Sequence, residues 1–126
     1  MLLSKLNILH LRNIHDLSVC CHPSANVLFG DNGSGKTSFL ESIYILGRGR
    51  SFKHRDLRLV VESGQTELVV SAQIMIDPSS DYRQLGVKRS IDGRFEARYD
   101  GMAIDTASEL AAQLPLQLID AHSFLL

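Results

Sequence analysis

Residues 30–37 read Gly30-Asp31-Asn32-Gly33-Ser34-Gly35-Lys36-Thr37, which satisfies the pattern G-x-x-x-x-G-K-[S/T] at every fixed position. The residue types follow from what such a loop has to do. Glycines let the backbone take positive φ and come close to phosphate oxygens. The loop N–H groups then form an anion nest, reinforced by the positive end of the helix that starts near Lys36. Lys36 is placed to reach the β- and γ-phosphates of a nucleoside triphosphate, and the Thr37 hydroxyl to ligate Mg²⁺. At ordinary glycine, lysine and Ser/Thr frequencies the pattern arises by chance in roughly one of several hundred chains of this length. The flanks narrow it further. Val27-Leu28-Phe29 reads as a short buried parallel strand delivering the chain to the loop. After the loop, Phe39, Leu40, Ile43, Tyr44 and Leu46 recur at helical spacing, with Ser38, Glu41 and Ser42 on the other face and Gly47 as the stop.

The rest of the chain reads as strands and turns with one further helix. Residues 2–12 form a first strand and Asp16 to Cys21 a second. Leu57 to Val61 and Glu67 to Ile76 read as strands around a Ser63-Gly64 turn, and Asp77 to Ser80 as a loop. Leu85 to Ile91 and Arg94 to Tyr99 flank Asp92-Gly93, a two-residue hairpin signal, and Asp100-Gly101 makes another turn. Thr106 and Glu109 have the spacing of a capping box for a helix running to Leu114, which Pro115 ends. Leu116 to Ile119 reads as a last buried strand.

Composition removes several classes. With 44% hydrophobic and 21% charged residues the 126-residue chain is an ordinary globular one, and 13 basic against 14 acidic residues give no global field toward nucleic acid or membrane. There is no run of about 18 apolar residues and no signal peptide, so a soluble, cytoplasmic protein without membrane contact is expected. Cys20 and Cys21 are adjacent, which strains a disulfide and predicts two reduced thiols. His10, His15, His22, His54 and His122 lack ligand spacing, so no metal site built from side chains alone is expected. Small GTPases are excluded, because no aspartate has a glycine three residues on and no Asn-Lys pair exists.

Three segments together carry a family resemblance: Leu11-Arg12-Asn13, Asp31 to Ser38 followed by Leu40-Glu41, and Gly47-Arg48-Gly49-Arg50-Ser51-Phe52. With Arg98 to Gly101 and Leu114 to Ile119, they make the whole chain resemble the RecF family of bacterial recombination mediators, relatives of the SMC-like ABC-type ATPase heads. The resemblance implies an α/β P-loop NTPase of ABC-ATPase type, with a mixed sheet, an antiparallel subdomain and then a helical lobe. It implies ATP with Mg²⁺ as cofactors and ATP-dependent homodimerisation. It also implies slow hydrolysis and binding of single- and double-stranded DNA at gaps alongside RecR and RecO. Residues Gly30 to Ser38 would hold the nucleotide, Arg12 would approach it, and Gln117 would stand near Mg²⁺ beside Thr37. No signature-like segment and no apolar run ending in Asp-Glu occurs, so no catalytic residue is assigned. The sequence therefore reads as the N-terminal part of such a head, truncated before the helical lobe and Walker B region.

Two basic groups are candidates for phosphate contact. Arg48, Arg50, Lys53, Arg55 and Arg58 surround one acid, Asp56; Lys88, Arg89, Arg94 and Arg98 are interleaved with Asp92 and Glu96. A small-molecule kinase and a non-hydrolysing interaction module remain alternatives to a DNA-linked ATPase.

Overall fold

The computed structural model describes residues 2–30, 35–77 and 81–115. Strands β1 (Leu2–Leu11), β2 (Ile14–Cys20), β3 (Glu67–Asp77), β4 (Asp81–Ser90), β5 (Phe95–Tyr99) and β6 (Met102–Ile104) form one sheet in the order β2-β1-β3-β4-β5-β6. Every pairing in it is antiparallel. Period-two alternation explains the buried face. Ile8 lies opposite Val70, Val70 opposite Val87, Val87 opposite Ala97 and Ala97 opposite Ile104, a buried row crossing five strands. Helix α1 (Lys36–Arg48) lays Ile45 and Leu46 on this row, and α2 (Ala107–Gln113) closes the end with Leu110 and Leu114.

The α2 cap and the Asp100-Gly101 turn hold up, but the β4–β5 connection is a three-residue loop, Ile91-Asp92-Gly93, closed by the Ser90 N–H on the Arg94 carbonyl at 3.1 Å, rather than a two-residue turn. Thr106 caps α2, its Oγ1 accepting the Glu109 N–H at 3.1 Å. At the β5–β6 turn Asp100 and Gly101 both have positive φ, 53° and 83°, as a two-residue hairpin of the mirror-image type requires. The short β6 that follows was not anticipated.

Four further expectations are corrected. Gly47 does not stop α1; it is buried within the helix, and Gly49, with φ 73°, is the cap whose N–H returns to the Ile45 carbonyl. The buried face of α1 is the one carrying Ser38, Glu41 and Ser42, while Leu40 is 50% exposed. The polar groups tolerate burial because each has a partner: Ser38 Oγ donates to Asn13 Oδ1, Ser42 Oγ to the Phe39 carbonyl, and Glu41 accepts from Arg12. Leu57 to Val61 is not a strand. Asp56 caps a short 3₁₀ turn at Leu57–Leu59, accepting the Arg58 N–H, and Val61 makes an isolated bridge to Leu11. Val27 to Phe29 is neither strand nor buried, with Val27 84% and Phe29 86% exposed. Leu116 to Ile119 lies outside the described residues.

Gly49 is where helix end, sheet and α2 meet. A Cβ there would stand 2.7 Å from Phe95 Cε2, on a backbone already left-handed. Gly49→Ala is therefore expected to destabilise the fold by about 1–3 kcal/mol. Gly86→Ala, whose Cβ would meet only Ser71 Cβ at 3.9 Å, should be close to neutral. Equal losses in chemical denaturation would contradict this account.

Candidate functional site

The tip of the β1–β2 hairpin and the N-terminus of α1 come together around the glycine loop. Leu11 pairs with Ile14, leaving Arg12-Asn13 as a two-residue turn. Arg12 takes a left-handed φ of 49°, a conformation costing roughly 1–2 kcal/mol for a residue with a Cβ. Three contacts hold it: its N–H donates to the Val60 carbonyl at 2.8 Å, and its Nε and Nη2 donate to Glu41 Oε1 and Oε2 at 2.8 and 3.1 Å. Glu41 is fully buried and Arg12 22% exposed at the side chain, so the two-pronged pair is only partly screened by water. Ser51 Oγ adds a third donor to the carboxylate at 2.6 Å and in turn accepts the N–H groups of Lys53 and His54. One buried acid thus ties together the hairpin tip, α1 and the start of the basic loop.

Above that anchor lies a cavity of about 390 Å³, within the about 300–1,000 Å³ usual for small-molecule sites. Arg12, Asn13, Gly35, Lys36, Thr37, Ser38 and Lys53 line it. Three are cations and, among the described residues, none is a carboxylate. Lys36 Nζ donates to the Gly30 carbonyl, closing the loop's two ends on each other. Gly35 begins the helix with φ 99°, and a Cβ there would touch Asn13 Nδ2 at 3.4 Å, so hairpin and loop approach at glycine distance. Thr37 is exposed in the first turn of α1, and Ser38 is buried, its hydroxyl donating to Asn13.

Of the residues singled out from sequence, the structure brings Gly35, Lys36, Thr37, Ser38 and Arg12 to one cavity, with Gly30 at its rim through Lys36. Asp31, Asn32, Gly33, Ser34 and Gln117 lie outside the described residues. Sequence reasoning missed Glu41 and Ser51, whose partners are 29 and 10 residues away along the chain. An acid at the sixth position of a P-loop helix, with an arginine at a hairpin tip, was the available signal. Lys53 was read only as part of a charge cluster, yet it lines this cavity.

The basic loop divides. Arg58 pairs with Asp56 at 3.0 Å, and that hydrogen bond holds the Asp56 carboxyl below its ordinary range. Arg50, Lys53 and Arg55 are exposed and border a second cleft of about 510 Å³ with Tyr44, Phe52 and Arg89. Phe52 stands edge-on to Tyr44, centroids 5.5 Å apart. Arg89 donates to the Gly49 carbonyl and lies 5.7 Å from the Phe95 ring centre, and burial pushes its pKa down. Two of the four in the hairpin group are matched by acids, Lys88 near Glu67 and Glu96 and Arg94 beside Asp92. Cys20 and Cys21 are free thiols. Among the described residues no helix is long and apolar enough to cross a membrane.

An antiparallel sheet packed on a helix that springs from a Lys36-bearing glycine loop is the architecture of a P-loop NTPase of the ABC-ATPase type. Solved structures bear this out at the level of fold. The recombination mediator protein RecF with ATP, of the RecFOR pathway, superposes with a TM-score of 0.76 at 19% identity, covering 86% of this chain and 30% of that one. A structure from work on ATP-driven dimerisation and DNA-stimulated activation of SMC ATPases gives 0.77 at 18% identity, covering 89% and 76%. The chain belongs to the RecF/RecN/SMC N-terminal domain family, whose profile matches residues 2–124. Over 124 residues, 98% of this chain, it is 44% identical to the DNA replication and repair protein RecF of Stutzerimonas stutzeri. The same protein of Pseudomonas aeruginosa is 40% identical over the same share. The chain spans about a third of the length of these relatives, 33% in both cases.

The Ser51 hydroxyl is the cheapest part of the anchor to remove. Ser51→Ala leaves a buried carboxylate oxygen and two loop N–H groups short of a partner, and is expected to cost about 1–3 kcal/mol. Denaturant melts in which this variant matches wild type would show that the hydroxyl carries no weight.

Proposed function

We propose that the chain is the N-terminal part of an ATP-binding head of a DNA replication and repair protein, and that the Gly30–Ser38 loop holds the triphosphate. The observation that carries this reading is the cavity at the start of α1, lined by Arg12, Lys36 and Lys53 without a described acid. Because Arg12 is neutralised by Glu41, Lys36 and Lys53 supply the net positive charge, which suits a polyphosphate. Lys36, held on the Gly30 carbonyl, exchanges that partner for phosphate oxygens on binding. Thr37 offers one exposed hydroxyl oxygen, the hard donor that Mg²⁺ takes together with water and phosphate oxygens. Bound there, the ion would offset phosphate charge. Gln117 is retained as a further Mg²⁺-side residue on the family resemblance alone.

The exposed Arg50, Lys53 and Arg55 beside this cavity support contact with DNA phosphates. Single- and double-stranded DNA at gaps, ATP-dependent pairing with a second copy, slow hydrolysis and cooperation with RecR and RecO belong to the same reading for the whole protein. The exposure of Val27 and Phe29 supports a larger head in which further chain covers them.

Isothermal titration with ATP and Mg²⁺ tests the proposal. Removing a cation that bonds phosphate forfeits about 1.5–3 kcal/mol, so Lys36→Ala should weaken binding about 10- to 150-fold. Equal affinities in wild type and Lys36→Ala would refute the assignment of this loop. The 126-residue chain by itself should turn over ATP no faster than its Lys36→Ala variant.

A further inference from the structure

Read along the chain, the histidines are scattered; in space two of them meet an acid. We propose that His10, His15 and Glu62 form a binding site for one divalent transition-metal ion of the zinc type. Their ligand atoms all lie within 4.8 Å of one another. The backbone brings them there from three segments. His10 and His15 face each other between the Leu9–Asp16 and Leu11–Ile14 pairs of the hairpin. Glu62 follows Val61, which bridges to Leu11, and its N–H donates to the His10 carbonyl at 2.9 Å.

The local backbone is adapted to this meeting. Leu6 and Ile8 are buried in alternation, and the next buried position is Leu11 rather than residue 10. His10 absorbs the change of phase with a left-handed φ of 59°. Its ring then lies 5.2 Å from that of His15, while His15 Nδ1 shares a hydrogen bond with both Glu62 oxygens at 2.9 and 3.1 Å. Among the described residues the His10 imidazole has this ring contact and no side-chain hydrogen bond.

Two imidazole nitrogens and one carboxylate are the donor set of a three-ligand zinc site, with water at the fourth position. A tetrahedral ion with bonds of about 2.0–2.1 Å needs ligand atoms about 3.4 Å apart. Reaching that spacing from 4.8 Å takes small side-chain rotations, for which the His15 ring, 71% exposed at the side chain, has room. The ion would replace the proton shared by His15 and Glu62 and fasten β1, β2 and the Val61–Glu62 segment behind the Arg12-Asn13 turn.

The test is a Zn²⁺ titration of the intact, tag-free, chelator-treated protein by calorimetry, with thermal melts alongside. One ion per chain should bind and raise Tm, and His10→Ala, His15→Ala and Glu62→Gln should each weaken binding by about tenfold or more. The double variant Cys20→Ser/Cys21→Ser should bind as wild type does. Melting curves without metal should show all variants folded, since none of the three side chains is buried in the core. Co²⁺ in place of Zn²⁺ should give weak visible bands of nitrogen and oxygen ligation, without intense thiolate charge transfer. No saturable binding, binding indifferent to His10 and Glu62, or binding lost only with the cysteines would overturn the proposal.

Discussion

The fully buried carboxylate of Glu41 organises this molecule. Glu41 sits on the inner face of α1, so its carboxylate oxygens need hydrogen-bond donors from elsewhere in the protein. Arg12 supplies two and Ser51 a third. Satisfying the acid fixes the hairpin tip against the helix, and that contact in turn holds Arg12 in a backbone conformation it would not otherwise adopt. The sheet contributes the rigid floor: the Ile8–Val70–Val87–Ala97–Ile104 row buries α1 on one side and sets where its N-terminus emerges.

The candidate site follows from that geometry. Gly35 can begin the helix against Asn13 because no side chain intervenes, and Lys36 and Thr37 then project from the first turn beside the hairpin. Lys53 reaches the same cavity because Ser51 anchors its loop to the same carboxylate. The charge balance is what gives the cavity its sign. One guanidinium is spent on a buried acid, and the two ammonium groups remain for an anion.

Much of this was legible from residue order, and the losses have identifiable physical origins. The glycine loop, the strands with clean alternation such as β3, the Asp100-Gly101 turn and the Thr106 cap depend on neighbours a few residues apart, and local patterns report them. The face of α1 was misread because hydrophobic periodicity assumes that polar residues look outward. Ser38, Glu41 and Ser42 look inward because partners await them, two of those partners on a hairpin 25 and 29 residues earlier. Val27 to Phe29 failed differently: an apolar run announces a need for cover, not the presence of it, and among the described residues nothing pairs with it as a strand. The meeting of His10, His15 and Glu62 is not visible in residue order, because it takes a hairpin to make close neighbours of residues five apart and a bridge from Leu11 to bring residue 62 beside them.

The claim that the Arg12–Glu41 pair is the keystone is open to direct measurement by a double-mutant cycle on folding stability, using Arg12→Met and Glu41→Leu. Breaking one side of a buried pair strands the other charge, so each single change should cost about 3–5 kcal/mol. The double variant, with no charge left to bury, should fall short of the sum of the two by at least about 1.5 kcal/mol. Losses that add to within about 0.5 kcal/mol would mean that the two side chains act independently, and the hairpin would then need another reason to sit where it does.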